Sequence, residues 1–213
     1  MATFAGLKLT GALGNYTLSF SGSSVSNASQ SITISHGAPS YLTVTASDSA
    51  TVGVNFAQQP EVSIYDVSGN LVTTGVGATT TVTLSATGMT TKTATASAGV
   101  ARFTGVALST TAGNITLTAS ISSPNSASGT KVVALTAGTP TQLIVTTAAA
   151  SCASRIACTT QPVIKIADAA GNATTSSATV TATVTSGTGS VYSGSSTDAV
   201  NGTATFSGFA LSG

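Results

Sequence analysis

Apolar and hydroxyl-bearing side chains alternate along most of the chain. Leu42, Val44 and Ala46 alternate with Thr43 and Thr45, and residues 115–121 repeat the pattern. A period of two places successive side chains on opposite faces of a β-strand. The β-branched Val and Thr that dominate these runs favour the pleated surface of a sheet, and no run of eleven residues keeps a helical period. The pattern therefore predicts an all-β protein in which each strand buries one face.

Turn-forming pairs such as Ser-Gly, Gly-Asn and Pro-Asn divide the middle of the chain into seven strands. We label these predicted strands by letter: 41–46 (A), 60–66 (B), 79–86 (C), 91–96 (D), 99–108 (E), 112–121 (F) and 129–136 (G). Seven short antiparallel strands, each with one apolar face, predict a sandwich of two sheets.

A short sequence recurs three times at nearly equal intervals. It reads Ala-Thr-Phe-Ala-Gly-Leu at 2–7, Ala-Arg-Phe-Thr-Gly-Val at 101–106 and Ala-Thr-Phe-Ser-Gly-Phe at 204–209. Further segments align in the same frame: 14–20 with 113–119, 37–44 with 138–145 and 59–70 with 161–172. Such a period is typical of tandem arrays. We therefore predict a slice through an array with three segments: 1–36 (strands E to G of one unit), 37–137 (a complete unit) and 138–213 (strands A to E of the next).

Charge is scarce in this sequence. Charged residues make up 5% of the chain and the net charge is +1, so we expect neither nucleic acid nor an anionic membrane as a partner, because both require clustered Lys and Arg. No apolar run approaches the length of a membrane-spanning helix. A surface of Ser and Thr is insensitive to salt and pH, which suits an extracellular position, and its low charge favours association between identical chains.

The chain has two cysteines, Cys152 and Cys158. With no His or acidic cluster nearby to complete a metal site, we expect a local disulfide, which points to an oxidising compartment. The alternative is an internal thioester between Cys158 and Gln161. Alignment disfavours the thioester, since Cys158 falls where the central segment has Phe56, a predicted core position, and since no electropositive site for a reactive thiol is visible.

Two aspartates, Asp66 and Asp168, are weak calcium candidates, each followed by x-x-Gly-Asn. Calcium needs six or more oxygen ligands, and each position offers one carboxylate with few acidic neighbours. A tight turn capped by Asx side chains explains the same residues.

The single histidine, His36, precedes the Gly37-Ala38-Pro39 stretch and is interpreted as a linker residue. One histidine at a segment boundary provides no Ser-His-Asp set. We therefore expect no enzyme activity, no catalytic residue and no cofactor.

At this level of detail the chain resembles the bacterial immunoglobulin-like repeats of large surface proteins, of the invasin and intimin type. The resemblance is carried by the Gln-Pro before strand B, the Asp-x-x-Gly-Asn after it, the Gly-x-Ala-x-Phe of strand E and the Gly-Asn-(Tyr/Ile)-Thr-Leu of strand F. It implies tandem immunoglobulin-like β-sandwiches of about seven antiparallel strands each. Unlike antibody domains, the chain lacks a tryptophan and a cysteine pair joining the two sheets.

The expected function is an extracellular structural or adhesive array that forms a stalk or filament. The partners would be neighbouring repeats of the same or identical chains, and the outer segments, which hold complementary strands, suggest head-to-tail polymerisation. Strand E, present in both outer segments, argues against a simple join. Alternatives are a module binding a glycan or host-surface ligand and a virion surface decoration domain. Four Tyr and no Trp disfavour a sugar-stacking site.

Overall fold

The structure, a computed structural model, describes residues 3–9 and 12–213. Within these residues the chain forms β-strands grouped in several sheets, with one short 3-10 helix at Val76–Thr79 and no α-helix. None of the described residues belongs to a helix long and apolar enough to span a bilayer. The prediction of an all-β protein is confirmed.

The central segment contains eight strands in two sheets. They are β3 (Tyr41–Thr45), β4 (Ser49–Thr51), β5 (Glu61–Tyr65), β6 (Thr81–Ser85), β7 (Lys92–Thr95), β8 (Val100–Arg102), β9 (Gly113–Ile121) and β10 (Ala127–Thr136). One sheet has the order β3-β5-β8 and the other β4-β10-β9-β6-β7. All seven predicted strands are present, as β3, β5, β6, β7, β8, β9 and β10 in the order A to G.

The two central sheets enclose one hydrophobic core. Val62 and Ile64 of β5 are fully buried, as are Leu84 of β6 and Leu117 of β9. Full burial of such a side chain contributes about 1.5–3 kcal/mol. The alternation read from the sequence therefore corresponds to an inner and an outer face of each strand, consistent with a β-sandwich.

Strand E and strand β4 differ from the sequence-based prediction. Predicted strand E is shorter, because the chain turns at Gly105, whose φ is 60°, and regains only an isolated bridge between Ala107 and Asn55. The second difference is strand β4, which was not predicted. It pairs in parallel with β10, with Ser49 opposite Ala134. At three residues β4 is too short for alternation to reveal it, and it adds one parallel pair to the antiparallel strands expected.

The third segment forms smaller sheets. Its strands are β11 (Gln142–Thr147), β12 (Val163–Ala167), β13 (Thr179–Thr181), β14 (Ser190–Ser193), β15 (Ser196–Asp198), β16 (Thr203–Thr205) and β17 (Ala210–Ser212). They pair as β11-β12-β16, β13-β15 and β14-β17. Predicted strands A to E correspond to β11, β12, β13, β15 and β16, while β14 and β17 were not predicted as separate strands.

The first segment is a hairpin of β1 (Gly14–Phe20) and β2 (Ala28–Ile34), which correspond to predicted strands F and G. The strand E predicted before them does not form among residues 3–9, and the rest of that prediction falls on residues outside those described. In the central segment strand E is held by β5, and the described residues offer the first segment no equivalent partner. Phe4 is consequently 67% exposed.

Candidate functional site: the segment junctions and an open apolar groove

Asp66 lies at the junction of the first and central segments. It is buried, and its Oδ1 accepts hydrogen bonds from the backbone N–H groups of Ser68 (2.9 Å) and Asn70 (2.8 Å). Its Oδ2 accepts from the N–H of the linker residue Gly37 (2.7 Å) and from the side-chain amide of Asn70 (3.1 Å). One carboxylate thus fixes both its own turn and the linker that enters the central segment. We call this arrangement the junction clasp.

Asp168 forms the same clasp at the next junction. Its Oδ1 accepts from the N–H groups of Ala170 and Asn172 (2.9 Å each), and its Oδ2 accepts from the linker N–H of Gly138 (2.8 Å). The Asn172 side chain again donates to the carboxylate, at 3.0 Å from Oδ2. The two equivalent sequences therefore fold into equivalent contacts, each between a linker glycine and the segment that follows it.

Hydrogen bonding lowers the pKa of both clasp carboxyls. The N–H of Gly37 is the largest influence on Asp66, and with the Asn70 and Ser68 donors it overcomes the opposing effect of burial and lowers the pKa to about 2. For Asp168 burial is the largest single influence and raises the pKa, but the bonds from Gly138, Asn172 and Ala170 together outweigh it and the pKa is lowered. Donors aimed at a carboxylate favour its charged form, so the clasps are strongest when ionised.

The calcium candidates are thus carboxylates whose oxygens already face N–H donors. In residues 3–9 and 12–213 no group of three or more His, Cys, Asp or Glu side chains is placed to hold a metal ion. The turn interpretation of Asp66 and Asp168 accounts for the bonds within each turn, but not for the bonds from Gly37 and Gly138.

Asn172 also reaches back to the central segment. Its Oδ1 accepts a hydrogen bond from the N–H of Ala112 (2.8 Å), and its Nδ2 donates to the carbonyl of Thr110 (3.0 Å). The side chain is buried. Sequence reasoning assigned Asn172 only to a turn and missed this contact, whose only signal was the recurrence of Asn after the turn glycine.

His36 makes a different cross-junction contact, at the first boundary. The Thr74 N–H donates to His36 Nε2 (3.1 Å), which places the ring proton on Nδ1, 2.9 Å from the Gly37 carbonyl that accepts it. The Thr74 hydroxyl lies 2.9 Å from Nε2. His36, interpreted from the sequence as a linker residue, thus bonds directly to the central segment.

The two cysteines form the predicted disulfide, Cys152–Cys158. The other partner of the thioester alternative, Gln161, is bound elsewhere: its Nε2 donates to the Cys158 carbonyl (2.7 Å) and its Oε1 accepts from the Phe209 N–H (2.7 Å). Gln59 makes the equivalent bonds in the central segment. This glutamine is therefore a repeated structural residue, and the Cys158 sulfur is already bonded.

The third segment has an open apolar groove beside β11. Leu143 and Val145 are 59% and 62% exposed, whereas the equivalent Leu42 and Val44 are 4% and 9% exposed. In the central segment β9 and β10 pack against β3, and the described residues after Phe209 form no counterpart of them. What is left is a cavity of about 260 Å³, lined mainly by Leu143, Val145, Ile164, Val180, Phe206 and Phe209. We call this surface the apolar groove.

The β1–β2 hairpin has an apolar side that is only partly buried. Its Leu18 and Ile32 are aligned through the hairpin register with Leu117 and Val133. The latter two are fully buried, while Ile32 is 37% exposed and Leu18 only partly buried. Together with Tyr16, Phe20 and Ile34 on the same side, they form what we call the hairpin face.

The sequence matches no protein-family model, and no curated protein is significantly similar to it.

Proposed function

We propose that the chain is a section of an extracellular structural or adhesive array, built from tandem immunoglobulin-like sandwiches and acting as a stalk or filament. The observation that carries this proposal is the recurrence of the junction clasp. At both boundaries a buried carboxylate binds the N–H of the linker glycine, Gly37 or Gly138. A linker bound to the segment that follows it has fewer free backbone rotations, which favours a rod over a flexible chain.

The arrangement of the central strands supports the immunoglobulin-like part of the proposal. Two sheets share one core, and the chain crosses from the first sheet to the second between β3 and β4. The strand labelled D (β7) pairs with C (β6) and not with E, so the sheets read ABE and, after β4, GFCD, rather than the ABED and CFG of antibody constant domains.

Compartment and surface chemistry support an extracellular setting. The Cys152–Cys158 disulfide fits an oxidising environment. Charged residues make up 5% of the chain, and two ion pairs, Arg102–Glu61 and Lys131–Asp48, are present among the described residues, so charged side chains contribute little to the surface. Such a surface keeps its properties as salt and pH vary.

The junction can be tested by measuring the relative orientation of the central and third segments in solution. Residual dipolar couplings from 37–137 and 138–213 should fit one common alignment tensor, because Asn172 binds Thr110 and Ala112 across the boundary. Asn172→Ala should separate the two tensors, while Asn114→Ala, an exposed asparagine in the nearby β9, should not. Independent tensors in the unaltered chain would contradict a rigid array.

Glycan binding, the second candidate, has one observation in its favour. Tyr41 and Tyr65 stack on the outer face of β3 and β5, with ring centroids 5.4 Å apart and planes 14° from parallel. Tyr41 is 39% exposed, which leaves part of one ring available to a sugar. Glycan-array binding that Tyr41→Ala abolishes would favour this candidate over a purely structural role.

A further inference from the structure

We propose that the parallel contact between β4 and β10 resists mechanical unfolding of the central segment when the chain is stretched between its two linkers. We call this contact, Ser49–Thr51 against Ala134–Thr136, the β4–β10 pair. The inference rests on the proposed stalk or filament in one respect, since an extended array under tension is what would load the pair. Both strands belong to the complete central segment, so the contact is independent of the two outer segments.

The two linkers lie at opposite ends of these strands. The first linker is beside the start of β10, because the side-chain amide of Asn125, in the β9–β10 turn, donates to the Pro39 carbonyl (3.5 Å). The second linker is beside the end of β4, where a Cβ added at Gly138 would lie 2.7 Å from the Val52 carbonyl oxygen. A line from the first linker to the second therefore runs along β4 and β10.

Tension along this line loads the β4–β10 pair in shear. Tension at the first linker pulls β4 toward its N-terminal end, while tension at the second linker pulls β10 toward its C-terminal end. In a parallel pair these pulls are opposite in direction and follow the strand axis. Hydrogen bonds of a ladder run between the strands, so sliding one strand along the other stretches all of them together. Pulling the strands apart sideways would instead break them one at a time.

Backbone hydrogen bonds mark both ends of the pair. The Ala134 N–H donates to the Asp48 carbonyl, and the Val52 N–H donates to the Thr136 carbonyl, at 2.9 Å each. Between these bonds the regular alternation of a parallel ladder turns both backbone groups of Ala50 toward β10. The Thr136 hydroxyl also donates to the Ala50 carbonyl (3.1 Å). The pair is therefore short but bonded along its whole length.

The rest of β10 is held too firmly to slide by itself. It pairs with β9 from Ala127 to Leu135, and its inward residues Val133 and Leu135 are buried in the core. An ion pair between Lys131 and Asp48 adds a tie beside the start of β4. Tension at the first linker can peel β3 from β5, but the peeling then reaches β4. Unfolding from either linker must therefore break the β4–β10 pair.

The direction of pulling provides the sharpest test, because it leaves the folding free energy unchanged. Single 213-residue chains are stretched in magnetic tweezers through handles at the two chain ends. Unfolding of the central segment is recognised by a step of roughly 300 Å, since its hundred or so residues extend to about 3.3–3.6 Å each. The shorter third segment gives a shorter step.

The comparison is a chain with handles on the side chains at Ser49 and Val132, both exposed. They are attached through reactive non-natural residues, which leave the Cys152–Cys158 disulfide intact. These positions lie at the same end of the pair, so tension opens it sideways from that end. We expect unfolding at a several-fold lower force than through the chain ends. Equal forces in the two directions, with equal urea midpoints for both labelled chains, would overturn the inference.

A matched pair of variants tests the hydrogen bonds themselves. Ala50→Pro removes an N–H that faces β10, whereas Ser49→Pro removes the neighbouring N–H, which faces the free edge of the sheet. One ladder bond corresponds to a factor of about five. Under constant tension between the chain ends, we therefore expect Ala50→Pro to shorten the lifetime of the central segment about fivefold and Ser49→Pro to change it less than about twofold. Equal effects of the two prolines would contradict the assigned role.

The proposed array and this inference fail separately. The orientation measurement at the junction is made without tension, so equal unfolding forces in the two directions would leave a rigid array standing. Independent alignment tensors would leave the β4–β10 pair standing, because the pair lies within one segment. If Ala50→Pro does not fold, the comparison of pulling directions still decides the inference, since it changes no residue between Ala50 and Lys131.

Discussion

The phenylalanine that recurs at 4, 103 and 206 tests how burial determines what one side chain contributes to the free energy of unfolding. The three residues occupy the same place in the repeated sequence, yet Phe4 is 67% exposed while Phe103 and Phe206 are 4% and 2% exposed. Substitution of each by alanine removes the same atoms from three different environments.

Phe103→Ala should destabilise the central segment strongly. Replacing a buried phenylalanine with alanine costs about 3–5 kcal/mol, through lost transfer energy and the cavity that remains. For a unit of about 100 residues, 1 kcal/mol shifts Tm by roughly 4–8 °C, so the expected fall is about 12 °C or more. Phe4→Ala should change stability by no more than about 0.5 kcal/mol, as exposed substitutions usually do.

The assay is scanning calorimetry combined with amide hydrogen exchange, which assigns each transition to a segment. Protection of β9 amides should fall in Phe103→Ala and stay unchanged in Phe4→Ala. Phe206→Ala should affect the third segment alone and enlarge the cavity beside Phe209. Equal Tm shifts for Phe4→Ala and Phe103→Ala would refute the assignment of Phe103 to a core that Phe4 does not share.

Two further predictions concern the clasp and the disulfide. The pKa of Asp66 is lowered to about 2 in the folded chain. The ionised carboxylate therefore contributes its full stabilisation above the ordinary carboxyl pKa near 4, and this stabilisation is lost as pH falls from about 4 through 2. Urea midpoints measured across this range should fall less steeply in Asp66→Asn than in the unaltered chain. Reduction of Cys152–Cys158, six residues apart, should lower the stability of the third segment by roughly 2 kcal/mol in the loop-entropy model. Amide hydrogen exchange should show this loss in the third segment alone. An equal loss of protection in the central segment would contradict a local effect.

Local sequence accounts for much of the secondary structure. Alternation in β5 and β9 identified which side chains face inward, and turn glycines placed the boundaries. The glycine of the repeated motif takes a left-handed conformation in all three copies, with φ of 72°, 60° and 65° at Gly6, Gly105 and Gly208. The nearby cysteines likewise predicted their own pairing, because the separation between them is short.

Contacts between distant residues were beyond the reach of that reasoning. β4 was not predicted, because its three residues become a strand only through pairing with β10, some 85 residues later. The bridge from Asn172 to Thr110 and Ala112 was missed for the same reason, since a turn asparagine looks the same whether its side chain faces water or the preceding segment.

By itself, the sequence determined the all-β class, seven of the eight strands of the central segment and the covalent link between Cys152 and Cys158. Periodicity, turn propensity and short separation are properties of neighbouring residues and do not depend on the rest of the fold. The tertiary structure alone decided that Leu42 is covered while Leu143 is exposed, and that a linker glycine is bound by a carboxylate about 30 positions away in sequence. Burial and junction geometry are set by which remote strands arrive to pack, and no local pattern records that.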